Sequence, residues 1–216
     1  MTLERSAGDP AFMEDQEQSL ADAVAALERG EVIALPTETV YGLAVDASSV
    51  DGLERLFTLK GRPASVALPL AVAKTAWVSR WARVADPRLE LLTRSWWPGP
   101  LTVVLPALDS VSRILTGGRS TLAVRVPDHE LARQVIERFG RAVALTSANV
   151  HGGKEARCAE DVSRVFGSQV SAVVDGGDSP LGQPSTIVSL VGEGPPEVLR
   201  RGAISEAQLL EALSRI

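Results

Sequence analysis

Apolar residues along the chain fall into two arrangements, short unbroken runs and longer stretches in which they recur every third or fourth position. The first marks a buried strand, the second an amphipathic helix. Residues 15–29 place Leu20, Ala23, Val24 and Leu27 at helical spacing and close on Gly30, a natural helix stop. Residues 32–35 are an apolar run ending at Pro36 and predict a buried strand. A helix follows over 50–59, with Leu53, Leu56 and Phe57 on its apolar face and Ser49 as its cap. Residues 68–72 read as a strand. The helix over 87–97 starts with proline in its first turn and is stopped by Pro98-Gly99-Pro100. Runs rich in β-branched residues predict strands at 101–105 and 122–126, and Asp128 is expected to cap a helix running to Phe139. Shorter strands fall at 143–146, 172–175 and 186–191, with a helix near 161–166 among them. Ser205 and Gln208 have the spacing of a capping box that opens a last helix, to Ile216.

Strands and helices interleave with no break in composition, no low-complexity stretch and no internal repeat. The pattern predicts a single α/β domain on a largely buried sheet. At 216 residues and 45% hydrophobic, the chain can bury one sizeable core. No window approaches the roughly 18 unbroken apolar residues of a membrane span. Residues 1–18 lack the basic flank and apolar run of a signal peptide, so a cytoplasmic protein without membrane contact is expected. A net charge of −5 argues against gripping nucleic acid through bulk charge. The single cysteine, Cys158, excludes an internal disulfide framework. Of 22 basic residues only Lys60, Lys74 and Lys154 are lysines, so forked guanidinium donors dominate.

Candidate chemistry sits where apolar runs give way to small polar residues, the strand ends at which α/β folds hold ligands. The first cluster is Pro36-Thr37-Glu38-Thr39-Val40-Tyr41-Gly42-Leu43, with two hydroxyls, a carboxylate and the chain's only tyrosine. The second, Lys60-Gly61-Arg62-Pro63, puts two cations on a proline-stiffened loop that can grip a polyphosphate. Thr146-Ser147-Ala148-Asn149, with Gly152-Gly153 beyond, offers hydroxyls, an amide and backbone donors suited to phosphate or ribose oxygens. The fourth set is Asp175-Gly176-Gly177, then Pro184-Ser185-Thr186-Ile187-Val188, then Arg200-Arg201-Gly202, and Arg125 adds another arginine at a strand end. No phosphate-binding P-loop and no dinucleotide fingerprint occurs. His129 and His151 lack metal-ligand spacing, which removes the usual basis for a zinc site.

The order of these clusters resembles the YrdC/TsaC family of threonylcarbamoyl-AMP synthases, in its single-domain form, over about residues 15–205. The cluster at residues 36–43 matches P-T-[DE]-T-x-Y-G-L, Lys60 to Pro63 matches K-x-R-P, and Pro98 to Thr102 matches P-G-P-x-T. Residues 122–127 match the strand carrying R-x-P, and Thr146 to Asn149 the S-x-N loop. Ser185-Thr186-Ile187-Val188 and Arg200-x-Gly202 match the last two signatures. The resemblance implies an α/β fold built on an open, twisted mixed β-sheet with flanking helices and a concave ligand-binding face. That domain would span residues 15–216, after a flexible N-terminus of residues 1–14.

The activity implied is an adenylyl transfer by a nucleotidyltransferase. L-Threonine, bicarbonate (or CO2) and ATP would give threonylcarbamoyl-AMP and pyrophosphate, for threonylcarbamoyladenosine modification of tRNA. Downstream tRNA threonylcarbamoyl-transfer proteins would be partners, and tRNA itself is a further candidate. By motif position, Thr39, Arg125 and Ser185 would face threonine. Lys60, Arg62, Thr121, Ser147, Asn149 and Arg200 would face ATP. Lys60 and Arg62 would stabilise charge, with no side chain serving as acid or base. Mg2+ would arrive with ATP, without a protein ligand, and no organic cofactor is implied. Val66 and Ala71 stand where many relatives carry polar residues. Arg201 replaces a usual proline, so either Arg200 or Arg201 can supply the matching arginine. The chain ends at Ile216, and no counterpart of the C-terminal domain of longer relatives is expected. Two other readings fit the same residues: an RNA-binding or ribosome-maturation protein using the concave face, and an inactive paralogue.

Overall fold

In the computed structural model, which describes residues 10–213, the chain runs α1 (Pro10–Glu28), β1 (Ile33–Leu35), β2 (Gly42–Asp46), α2 (Val50–Lys60) and β3 (Leu70–Ala71). It continues through α3 (Pro87–Trp96), β4 (Leu101–Pro106), α4 (Arg113–Thr116), β5 (Thr121–Arg125), α5 (Glu130–Phe139) and β6 (Val143–Ser147). The last third holds α6 (Ala159–Phe166), β7 (Ala172–Val173), β8 (Thr186–Ser189), β9 (Glu197–Arg200) and α7 (Glu206–Leu213). All nine strands join one mixed sheet in the order β7-β1-β2-β6-β3-β5-β4-β8-β9. The pairs β1–β7, β3–β5 and β4–β8 are parallel and the others antiparallel. Among the described residues no helix is long and apolar enough to cross a membrane.

The local signals account for most boundaries. Ser49 caps α2 by accepting from the Gly52 amide, and Gly61, at φ +62°, ends the helix. Ser205 and Gln208 form the expected reciprocal capping box at α7. Three expectations need correction. Helix α1 begins at Pro10, so residues 10–14 are helical, whereas 1–9 of the expected flexible N-terminus lie outside the described residues, as do 214–216 of the last helix. Asp128 does not cap α5. His129 occupies that position without a side-chain hydrogen bond, and the Asp128 carboxylate takes Arg133 instead. Strand β2, absent from the expected elements, lies third in the sheet and every residue of it is buried.

Side-chain alternation then divides the two faces. On β5, Leu122 and Val124 point into the main core with Leu101, Val103 and Leu105 of β4. Helices α2, α3 and α6 supply Leu53, Leu56, Leu92 and Val162 to that same core. Thr121, Ala123 and Arg125 face the other way. That second face has its own core, in which Leu20 and Leu27 of α1 and Leu131, Val135 and Ile136 of α5 meet β1, β2 and β6. No residue of β4, β5, β8 or β9 belongs to this second core. Helices therefore cover one half of the face, and the other half stays open as a concavity.

Candidate functional site

The concavity holds a cavity of about 420 Å3. Its wall comes from alternate residues of several strands: Thr102 and Val104 on β4, Thr121, Ala123 and Arg125 on β5, and Leu145 and Ser147 on β6. The loop before β2 adds Thr37, Thr39 and Tyr41, and the approach to β8 adds Ser185. Of the nine residues predicted to bind substrates, seven line it: Thr39, Arg62, Thr121, Arg125, Ser147, Ser185 and Arg200. Of the two alternatives at the C-terminal signature, Arg200 is on the wall, whereas Arg201 is exposed and faces Glu206 at 3.5 Å. Ala71 lines the cavity and Val66 does not.

Lys60 and Asn149 are placed differently from expectation. Lys60 is 2% exposed and off the wall, its ammonium donating to the carbonyl oxygens of Ser147 (2.5 Å) and Asn149 (3.0 Å) and to Asn149 Oδ1 (2.9 Å). All three protons are used, so Lys60 is a clasp under the loop and not a free charge facing phosphates. Burial, helped by nearby Arg62 and opposed by Glu155, pushes its pKa down to about 8. Asn149 completes the clasp, accepting from Ser147 Oγ at 2.8 Å and donating to the Gly153 carbonyl at 2.8 Å. With its own proton given to Asn149, the Ser147 hydroxyl offers the cavity lone pairs.

Arg125 is the most constrained wall residue. Its Nε donates to the Gly99 carbonyl at 3.0 Å and its Nη1 to Thr39 Oγ1 at 2.9 Å. Position 99 needs glycine for its own turn, since a Cβ there would lie 2.5 Å from the Trp96 carbonyl oxygen. Behind the wall, Nη2 stands 2.5 Å from Glu38 Oε1. Neither atom has an aligned hydrogen bond, so the contact is a buried charge pair. Glu38 uses its other oxygen to accept from the Asp128 amide at 3.0 Å.

The hydroxyls beside Arg125 have forced directions. A guanidinium can only donate and a carbonyl can only accept. Thr37 gives its proton to the Val40 carbonyl at 2.5 Å, so Thr39 must give its own to Thr37 Oγ1 at 2.8 Å. Thr39 therefore presents a lone pair to the cavity. Across β4 from Arg125, Ser185 pairs with Thr102 at 2.7 Å and receives Arg200 Nη2 at 3.0 Å.

Arg62 donates to the Ala67 carbonyl at 2.8 Å and to Thr146 Oγ1 at 3.3 Å. Burial lowers the pKa of Arg62, and that of Arg200, where Glu155 acts in the opposite sense. Arg119, which sequence reasoning missed, lines the cavity from the loop ahead of β5. Gly117 and Gly118, both at positive φ, shape that loop. Among the described residues Arg62, Arg119 and Arg200 form no ion pair, and Glu155 is the sole carboxylate on the wall. Neither histidine nor the cysteine lines the cavity.

The segment 174–185 closes one side, crossing from β7 at one end of the sheet to β8 near the other. Tyr41 anchors it, accepting from the Gly176 amide at 3.1 Å and donating to the Gly177 carbonyl at 2.8 Å. Burial is the main cause that pushes the phenol's pKa up to about 12, so it stays protonated. The Leu181 amide adds a bond to the Glu38 carbonyl at 2.9 Å.

Residues 25–202 match the sequence model of the Sua5/YciO/YrdC family, described as "Telomere recombination". The threonylcarbamoyl-AMP synthase of Pyrococcus abyssi is 36% identical over 201 residues, covering 93% of this chain and 59% of that protein. The Bacillus subtilis enzyme of the same name is 35% identical, covering 97% and 58%. This chain thus spans less than two thirds of the length of both. A shorter relative so named, from Halorhodospira halophila, is 39% identical, with 76% of this chain and 86% of that protein covered. The crystal structure of P. abyssi Sua5 complexed with L-threonine superposes with a TM-score of 0.88 at 35% identity, covering 93% of this chain and 58% of that one. With the fold shared as well, the chain belongs to the Sua5/YciO/YrdC family.

Proposed function

We propose that the chain is a threonylcarbamoyl-AMP synthase, forming threonylcarbamoyl-AMP and pyrophosphate from L-threonine, bicarbonate or CO2, and ATP. The observation that carries this reading is a cavity lined by four arginines and a single carboxylate, with hydroxyls between them and no histidine or cysteine. Such a wall suits a reaction whose obstacle is charge. The threonine amine adds to CO2, forming an N–C bond and losing a proton to give a carbamate. A carbamate oxygen then attacks the α-phosphorus, and the bond to pyrophosphate breaks. Attacker and electrophile are both anionic, so alignment and cationic stabilisation count for more than a strong base.

In this reading Arg125 takes the threonine carboxylate with its spare Nη1 proton. The lone pair on Thr39 accepts from the amino acid's own donors, and Ser185 closes the same end. Arg62, Arg200, Thr121 and Ser147 take the nucleotide, with Lys60 and Asn149 holding the Ser147 loop in shape. No group of three metal-ligating side chains occurs among the described residues. In the same proposal Mg2+ would enter on the phosphates of ATP, where it would neutralise charge. The relatives that bear the synthase name support the reading, as does the threonine complex of P. abyssi Sua5. A cytoplasmic location and hand-over of the product to tRNA threonylcarbamoyl-transfer proteins belong to the same proposal. Pyrophosphate release from ATP tests it. Release that requires both threonine and bicarbonate is expected, and release indifferent to either sinks it.

A further inference from the structure

The four wall arginines are not equivalent. Among the described residues Arg62, Arg119 and Arg200 have no carboxylate partner within ion-pair distance and share one wall acid, Glu155, so these three keep an excess of positive charge. Arg125 is matched one for one by Glu38, whose side chain is 9% exposed and sits 2.5 Å from Nη2. The Arg125 guanidinium, held by the Gly99 carbonyl and by Thr39, therefore keeps its geometry and one spare Nη1 proton while its local charge is cancelled. A monocarboxylate carries one charge and can be held by that N–H and the neighbouring hydroxyls without a net positive field. A triphosphate needs net positive charge and would meet the Glu38 carboxylate just behind the guanidinium.

We infer that Glu38 is a specificity-determining positioning residue, whose buried pairing with Arg125 sets that arginine apart from the three unpaired ones, leaving it to a monocarboxylate and them to a polyanion. Resting on the synthase reading, this explains how two anionic substrates avoid exchanging places. The phosphates are drawn to the unpaired arginines, and the amino-acid carboxylate is left the neutralised one. Glu38 acts through Arg125 and touches no substrate. Its second oxygen, fixed by the Asp128 amide at 3.0 Å, keeps the carboxylate from swinging into the cavity.

The test is calorimetric titration of L-threonine into the full chain, with and without inorganic tripolyphosphate. The wild type, Glu38→Gln and Glu38→Asp are compared, each checked by thermal melting. In the wild type, tripolyphosphate should leave the threonine Kd within about twofold. In Glu38→Gln, which keeps size but removes the charge, tripolyphosphate should occupy Arg125 and weaken threonine binding on the order of ten- to a hundredfold. Glu38→Asp keeps the charge and should behave as the wild type, so competition that appears only in a folded Glu38→Gln follows the lost charge, which a merely structural role for the pair would not produce. Competition in the wild type overturns the proposal whatever the variants do. So does Glu38→Gln with no competition, or a Glu38→Gln that fails to fold while Glu38→Asp folds, which assigns the pair to stability alone. A wild type that binds neither threonine nor ATP with Mg2+ would instead overturn the synthase reading.

Discussion

Lys60 reaches Asn149 twice, at its carbonyl oxygen (3.0 Å) and its side-chain oxygen (2.9 Å), across 89 residues of sequence. The ammonium fixes a loop that carries a wall hydroxyl, so its titration is expected to reach the ligand indirectly. Raising the pH through about 8 should remove one of three donors and weaken ATP binding. Stability should move the other way. The unfolded lysine holds its proton up to its ordinary 10.5, and the folded one releases it near 8. Between those values the unfolded state binds more protons, so folding gains as pH rises. Lys60→Met should abolish both trends, checked by ATP titration and denaturant melts from pH 7 to about 10.

Arg62→Ala should weaken ATP binding far more than it weakens the fold. The lost charge costs on the order of a hundredfold in affinity. The partners left behind, the Ala67 carbonyl and the Thr146 hydroxyl, account for about 1–2 kcal/mol of stability. Equal losses in the two measurements would count against a ligand role.

Gly176→Ala and Gly177→Ala should rank opposite to their backbone conformations. Gly177, at φ +73°, opens onto free space, and alanine there costs about 1 kcal/mol of strain. Gly176 has no positive φ, yet a Cβ would fall 2.5 Å from His129 Cε1 and 2.8 Å from Pro36 Cγ. Forcing that contact should cost about 1–3 kcal/mol and shift the crossing segment. Urea midpoints give the order, and threonine affinity should fall only for Gly176→Ala.

Tyr41→Phe removes one oxygen that serves both the Gly176 amide and the Gly177 carbonyl. A loss of about 1–3 kcal/mol is expected. Faster hydrogen exchange should be confined to residues near 176–181, because the ring itself stays packed. Uniform loosening across the sheet would show that the hydroxyl does not anchor this segment.

The sequence made the elements with strong local signals legible. Pro87 opens α3 and Gly61 and Gly140 close α2 and α5, as their chemistry requires. Strand β2 was hidden because it begins inside the polar cluster at 36–43, which leaves only Ala44-Val45 as apolar residues of the strand beyond it. Its pairing with β6 supplies the missing reason for a strand there. Strand β9 was missed for the opposite cause: Glu197–Arg200 is an exposed edge that carries charge at both ends. At the site, spacing found the wall arginines that sit in motifs. It could not find Arg119, nor the partnership of Glu38 with Arg125, since only the folded sheet brings residues 87 positions apart into contact.

The parallel pairing of β1 with β7 joins Ile33 to Ala172 and Ala34 to Val173. All three residues of β1 are buried, yet this edge has no partner until the chain has been made almost to its last fifth. During synthesis the β1–β2 hairpin must wait with an apolar, hydrogen-bond-hungry margin exposed, the kind of surface that invites self-association. Closing the edge is thus a long-range, late event. The ribosome, and whatever shields nascent chains beside it, is part of the environment for which this sheet order is built.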